Sequence, residues 1–219
     1  MPSYLTHILR FALVRSSSVP LLTLGSVDRW TCQVQRIGPS SVVLSAGVGQ
    51  AITFEHELLR RTGCSILLLD PSPTGVTTMS QAAWQVPQIV FRPIGLAGHD
   101  GSLGFEPPDR ADEGSWKIGE HDCKSFFECR SVSSLMQENR WNHIDLLKMD
   151  IEGFEYAVID DILAHRLDVR QICVEFHCDT QIRVNYTRLH VLRYVLRLIL
   201  AGYRLVHWTN SEFTFVRVR

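Results

Sequence analysis

Val42-Val43-Leu44-Ser45-Ala46-Gly47-Val48-Gly49, a helical run through Ile52, Phe54, Leu58 and Leu59, Gly63, and then Ile66-Leu67-Leu68-Leu69-Asp70 decide the fold. Both apolar runs are short and lack alternation, the pattern of a strand buried on its two faces. Between them, the apolar residues share one helical face while Glu55, Glu57, Arg60 and Arg61 fall elsewhere. Gly63 is placed to stop the helix. The unit is strand–helix–strand in about thirty residues, the length of a βαβ crossover.

The same punctuation continues outward from this unit. Ile89 to Ile94 is strand-like. The stretch from Gly95 to Cys129 is rich in Gly, Pro and charge and is expected to form loops, with room for a hairpin. A short helix is expected over Ser134 to Trp141, and a strand over Ile144 to Met149 that ends at Asp150. A helix from Glu152 to Ala164 would turn Tyr156, Ile159, Ile162 and Leu163 inward. A strand over Gln171 to Phe176 and a helix over Thr187 to Ala201 follow, the latter ending at Gly202. Tyr203 to Trp208 and Glu212 to Val218 alternate as a terminal hairpin. Alternating strands and helices imply an α/β fold with a doubly wound, mostly parallel sheet. Two successive terminal strands add one antiparallel C-terminal strand at an edge. Residues 1–37 read as an N-terminal extension and 38–219 as the domain.

In such a sheet a ligand sits outside the carboxyl ends of the strands. Gly47 and Gly49 fall there, where glycine lets the backbone approach a ligand without a Cβ clash. The helix beyond offers free N–H groups to a carboxylate. Asp70 ends the next strand, where a carboxylate can accept from both hydroxyls of a ribose. The third glycine of the dinucleotide fingerprint is missing, because position 52 is Ile, which counts against a nicotinamide cofactor. A glycine turn and a strand-terminal acid together favour an adenosine cofactor. A tight turn with no ligand is the competing reading of the glycines alone.

Leu44-Ser45-Ala46-Gly47-Val48-Gly49, Ile52-Thr53-Phe54-Glu55 and Leu69-Asp70-Pro71-Ser72-Pro73 resemble the cofactor-binding half of FkbM-type methyltransferases. Ile144-Asp145-Leu146-Leu147-Lys148-Met149-Asp150-Ile151-Glu152-Gly153-Phe154-Glu155-Tyr156 is similar to that family's most specific motif, and Val174-Glu175-Phe176-His177 to its next strand. The C-terminal segments Ala201 to Leu205 and Glu212 to Val216 fit as well. Ala46 and Gln50 depart from the pattern, in which many relatives carry glycine and an acid. The resemblance implies a class I methyltransferase fold, Rossmann-like, with S-adenosyl-L-methionine as cofactor. It further implies O-methylation of a hydroxyl on a sugar or natural-product small molecule.

Methyl transfer from a sulfonium is an in-line displacement, and a hydroxyl is a poor nucleophile until a base takes its proton. The expected catalytic residues are therefore the acids and the histidine after the fourth and fifth strands: Asp150, Glu152, Glu175 and His177. Glu175 and His177 alternate as i and i+2 and share a face, with His177 as a possible general base. Asp150 and Glu152 also have a helix-capping reading. The expected cofactor residues are Gly47, Gly49, Asp70, Asp100 and Asp150. Asp150, Glu175 and His177 could together take a divalent cation, but the adopted assignment contains no metal. Lys148 is expected to be buried and paired to an acid, and the Gly95–Cys129 stretch, with Phe105 and Trp116, to serve as a lid.

Composition narrows the alternatives. A net charge of -1 gives no electrostatic case for a nucleic-acid partner. No stretch approaches the ~20 apolar residues of a spanning helix, and Ile8 to Val14, interrupted by Arg10, is a poor signal segment. Six cysteines without a C-x-x-C pair suggest a reduced, cytoplasmic chain without membrane partners. Two other readings stay open: a non-catalytic Rossmann-like binding module, and a nicotinamide-dependent oxidoreductase.

Overall fold

The computed structural model describes residues 3–108, 115–119, 123, 125–178 and 186–218, with the backbone alone for 3–6. Helix α1 (Ser3–Leu13) precedes the hairpin β1 (Leu22–Leu24) and β2 (Trp30–Cys32). Strand β3 (Val42–Ala46), helix α2 (Thr53–Thr62) and strand β4 (Ser65–Leu69) follow, then α3 (Pro73–Ser80) and β5 (Ile89–Arg92). The middle of the chain forms β6 (Gly95–Leu96), β7 (Gly101–Glu106), β8 (Lys117–Ile118) and β9 (Ser125–Arg130). Next come α4 (Val132–Glu138), β10 (Leu146–Met149), α5 (Glu155–Ala164), β11 (Gln171–Glu175), α6 (Arg188–Leu200), β12 (Tyr203–Thr209) and β13 (Glu212–Arg217).

Seven strands make the main sheet, in the order β12-β13-β11-β10-β3-β4-β5. Strands β5, β4, β3, β10 and β11 run parallel to one another, while β13 runs antiparallel to both β11 and β12. The antiparallel strand is thus inserted one place in from the edge, and β12 is the edge itself. Strand β3 sits centrally, with Leu44 opposite Leu67 of β4 and Leu147 of β10.

Burial on both faces explains the unbroken apolar runs. Leu44, Ala46, Leu67, Leu69, Leu147 and Met149 point into a core closed by α4, α5 and α6 through Leu135, Tyr156, Ile159 and Leu198. Val43, Ile66, Leu68 and Leu146 point the other way, onto Phe54 and Leu58 of α2 and onto Leu24, Trp30 and Cys32 of the N-terminal hairpin. Each strand therefore feeds two cores, as in sheets covered by helices on both sides. The hairpin is joined further by Thr214 Oγ1 donating to Thr31 O at 2.5 Å and by Gln33 N donating to Gln171 Oε1 at 2.9 Å.

Two expectations are corrected. The Gly95–Cys129 stretch, read as loops with room for a hairpin, carries a full second sheet of order β6-β9-β7-β8, in which β7 and β9 pair antiparallel with Leu103 opposite Phe127. Its glycines obscured the strand pattern, because Gly101 and Gly104 sit inside β7. Part of that stretch (109–114, 120–122 and 124) lies outside the described residues. The helix expected from Glu152 starts at Glu155, because Glu152 (φ +52°) and Gly153 (φ +110°) adopt left-handed backbone that cannot continue a right-handed turn. Gly63 does stop α2, at φ +69°, with its N–H donated to Leu59 O. Among the described residues no helix is long and apolar enough to cross a membrane.

Candidate active site

The turn after β3 is fixed from three sides. Gly47 adopts φ +91°, and a Cβ there would lie 1.9 Å from the carbonyl oxygen of Asp150. Its N–H is donated to Leu69 O at 2.9 Å, and its carbonyl accepts from Lys148 Nζ at 2.6 Å. Gly49 also has a positive φ, +56°, but a Cβ there would meet open space, so this part of the turn faces the cleft. Lys148 is buried, as expected, with Nζ 3.8 Å from Glu55 Oε1 and over the Trp30 ring. Burial raises the Glu55 pKa against the pull of Lys148 and of Ser45, whose hydroxyl donates to Oε1 at 2.5 Å. This buried pair anchors the glycine turn from behind the sheet.

Asp70 clamps the same turn from β4. Its Oδ2 accepts from Val48 N at 2.8 Å and Gly49 N at 3.4 Å, and its Oδ1 from Ser72 N at 2.8 Å. A carboxylate offers about four lone-pair sites, so one remains on Oδ1 for a ligand. Gly75 of α3 makes this position possible, because a Cβ there would fall 2.4 Å from the Asp70 Cγ.

Across the turn, the ends of β10 and β11 gather four carboxylates around one imidazole. His177 is 5% exposed; Nδ1 lies 2.8 Å from Glu155 Oε1, and Nε2 lies 3.4 Å from Glu152 Oε2 and 3.8 Å from Asp150 Oδ1. Glu155 is fully buried and also accepts from Ile151 N and Gly153 N. Tyr156 donates its hydroxyl to His177 O at 2.8 Å, which fixes the backbone below the ring. Glu175 Oε1 accepts from Ser211 Oγ at 2.7 Å. Burial opposes charge on His177 but is outweighed by Glu155, Glu152 and Asp150, and its pKa is pushed up to about 10. Burial first, then neighbouring acids, raise the pKa of both Glu152 and Glu175.

These shifts change the role assigned to His177. With both ring nitrogens turned to carboxylates it is a cation at neutral pH, and a protonated imidazole cannot act as a base. Glu152 and Glu175 are the carboxylates of the cluster whose proton affinity burial raises. Helix-capping does not occupy Asp150 or Glu152, because Glu155 serves the backbone N–H groups ahead of α5.

A cleft of about 340 Å³ joins these parts. Gly47, Gly49, Asp70, Asp150 and Glu152 line it, with Leu96, Phe105, Trp116 and Phe154 as its apolar wall. Glu175 and His177 lie beside it, and atoms of Asp150, Glu175 and His177 come within 4.8 Å of one another. Asp100 stands apart. Its carboxylate accepts from Ser131 N at 2.8 Å and from Ser131 Oγ, at the start of α4. Asn210 forms the β12–β13 turn at φ +52° and accepts from Trp208 Nε1 through its carbonyl.

Glu155, Ser211 and Asp28 carry geometry that the sequence reading did not assign. Glu155 lay in the quoted motif, but its role depends on His177, 22 residues away. Asp28 accepts from Thr53 N and Phe54 N and so caps α2 from the N-terminal hairpin, and it also lines the cleft.

No curated protein matches this chain. Residues 37–205 match the family described as the methyltransferase FkbM domain, a span that takes in the glycine turn, the Asp70 clamp and the His177 cluster. The chain belongs to the FkbM methyltransferase family.

Proposed function

We propose that the chain methylates a hydroxyl oxygen of a small molecule, of the sugar or natural-product class, with S-adenosylmethionine as donor. The observation that carries this reading is the cleft in which the open glycine turn, the Asp70 clamp and the carboxylates of Asp150 and Glu152 converge, with Glu175 and His177 beside it. The strand order, with one antiparallel strand next to the edge, agrees with a class I methyltransferase sheet.

The residues present fit the cofactor. Gly49 leaves room at the turn, Asp70 Oδ1 keeps one acceptor site for a ribose hydroxyl, and Leu96, Phe105 and Phe154 offer an apolar wall to a purine. The acids around Asp150 outnumber the His177 cation and suit a positively charged sulfonium. When bound, that cofactor supplies an electrophilic methyl group. Glu175, held at Oε1 by Ser211, presents its other oxygen to take the acceptor's proton. Its raised pKa makes it a stronger base than an ordinary carboxylate. His177 holds the carboxylates of Asp150 and Glu152 at the cleft.

Calorimetry with S-adenosylmethionine and S-adenosylhomocysteine tests the cofactor, and turnover of a hydroxylated acceptor panel by the wild type and Glu175→Gln tests the base. The expected result is micromolar binding by both proteins and a kcat at least ~100-fold lower in the variant, the usual scale of a general base. A folded wild type that binds neither ligand refutes the reading and leaves a binding module without transfer.

A further inference from the structure

Two stretches, residues 1–27 and 180–211, contain no aspartate or glutamate and hold seven arginines, although the whole chain has a net charge of -1. They meet at the β12 edge of the main sheet. Arg15 N donates to Leu205 O of β12 at 2.8 Å, and Leu13 of α1 and Ile199 of α6 pack on the same core. Among the described residues, Arg10, Arg15, Arg193 and Arg204 form no ion pair, whereas Arg197 is held by Asp160.

Apolar side chains stand out on this basic surface. On α6, Leu189, Leu196 and Leu200 are 69%, 41% and 86% exposed. They fall at i, i+7 and i+11, with Arg193 at i+4, on one helical stripe. On α1, Ile8 and Phe11 are 47% and 91% exposed at i and i+3. Large exposed apolar groups on adjoining helices mark an interaction surface.

We propose that the α1–α6 face docks on the surface of an anionic phospholipid bilayer. The leucines and Phe11 would enter the headgroup–acyl boundary while the unpaired arginines meet lipid phosphates, the arrangement of an interfacial amphipathic helix. Charge complementarity selects this occupant. A symmetric contact between two copies would set arginines against arginines, with the neighbouring Asp160 already taken by Arg197. Arg204 also lines a cavity of about 630 Å³ with Arg36, Arg170 and Arg217, where Asp145 and Asp168 pair with Arg170 and Arg217 and leave Arg36 and Arg204 as its cations without an acid partner among the described residues. That cavity lies at the start of β11, and the candidate active site lies at its end, so docking leaves the cleft open.

The test is co-sedimentation of the full chain with vesicles of phosphatidylcholine alone or with roughly one-third phosphatidylglycerol, at low salt and at about 0.5 M NaCl, where exposed charges are screened. Expected is partitioning at least ~10-fold stronger on the anionic vesicles, most of it lost in high salt. Leu196→Glu/Leu200→Glu and Phe11→Glu change exposed positions, and each should weaken binding ~10-fold with an unchanged melting temperature. Equal binding to both vesicle types, no binding, or variants that bind like the wild type would each overturn the proposal. A concentration-dependent dimer in light scattering, broken by Leu200→Glu and without vesicle binding, overturns it in favour of self-association.

Discussion

At the residue scale, His177 and Gly47 give the sharpest predictions. The folded pKa of His177, about 10, lies above its ordinary value of 6.5. Its contribution to stability is therefore fully present below pH 6.5 and is lost as the pH rises through 10. An imidazole ¹⁵N titration of the ligand-free protein should show His177 still protonated at pH 8; a midpoint near 6.5 would contradict the cluster geometry. Gly47→Ala places a Cβ against the Asp150 carbonyl at a positive φ and should cost about 3 kcal/mol in urea unfolding. Gly49→Ala meets no neighbour, and its left-handed backbone alone should cost about 1 kcal/mol, with the larger effect on cofactor affinity. The sequence made the glycines, Asp70 and Asp150 legible, because each ends a recognisable strand. It left the charge of His177 hidden, because Glu155 and Glu152 reach the ring only through the left-handed turn at 152–153.

At the element scale, helix ends rest on side chains from distant segments. Asp28 caps α2 from the β1–β2 hairpin, and Asp28→Ala should cost about 1–2 kcal/mol, the scale of a lost cap. Asp100 binds Ser131, whose own Oγ accepts from Ser134 N and caps α4. Asp100→Ala should therefore lower thermal stability by about 1 kcal/mol and leave the affinity for S-adenosylmethionine intact. A weakened affinity with unchanged stability would return Asp100 to the cofactor site. Periodicity located α2, α5, α6 and the main strands within a few residues. It allowed only a hairpin where the second sheet forms, because β6 and β8 are two residues each and Gly101 and Gly104 interrupt the apolar pattern of β7.

At the scale of the whole molecule, the N-terminal residues matter beyond their place before the family match at residue 37. Trp30, Cys32 and Leu24 fill the core on one face of the sheet, and Trp30 lies beside Lys148. Deleting residues 1–37 removes these groups and the cap on α2 together. The truncated chain should lose its cooperative thermal transition; a two-state melt near that of the full chain would show that the sheet is closed without them.

The sequence by itself determined the α/β class, the central strand–helix–strand unit and the family, because apolar runs and glycine stops are local properties of the chain. Only the tertiary structure decided the electrostatics of the site. Asp150, Glu152, Glu155, Glu175 and His177 act on one another through space inside a region of low dielectric. The shifted proton affinities of Glu152, Glu175 and His177 follow from burial and from separations, 2.8 to 3.8 Å between His177 and the carboxylates of Asp150, Glu152 and Glu155, that exist only once β10 and β11 lie side by side. The same holds for the basic edge. Its arginines come from two ends of the chain and become one surface only where α1 and α6 meet on β12.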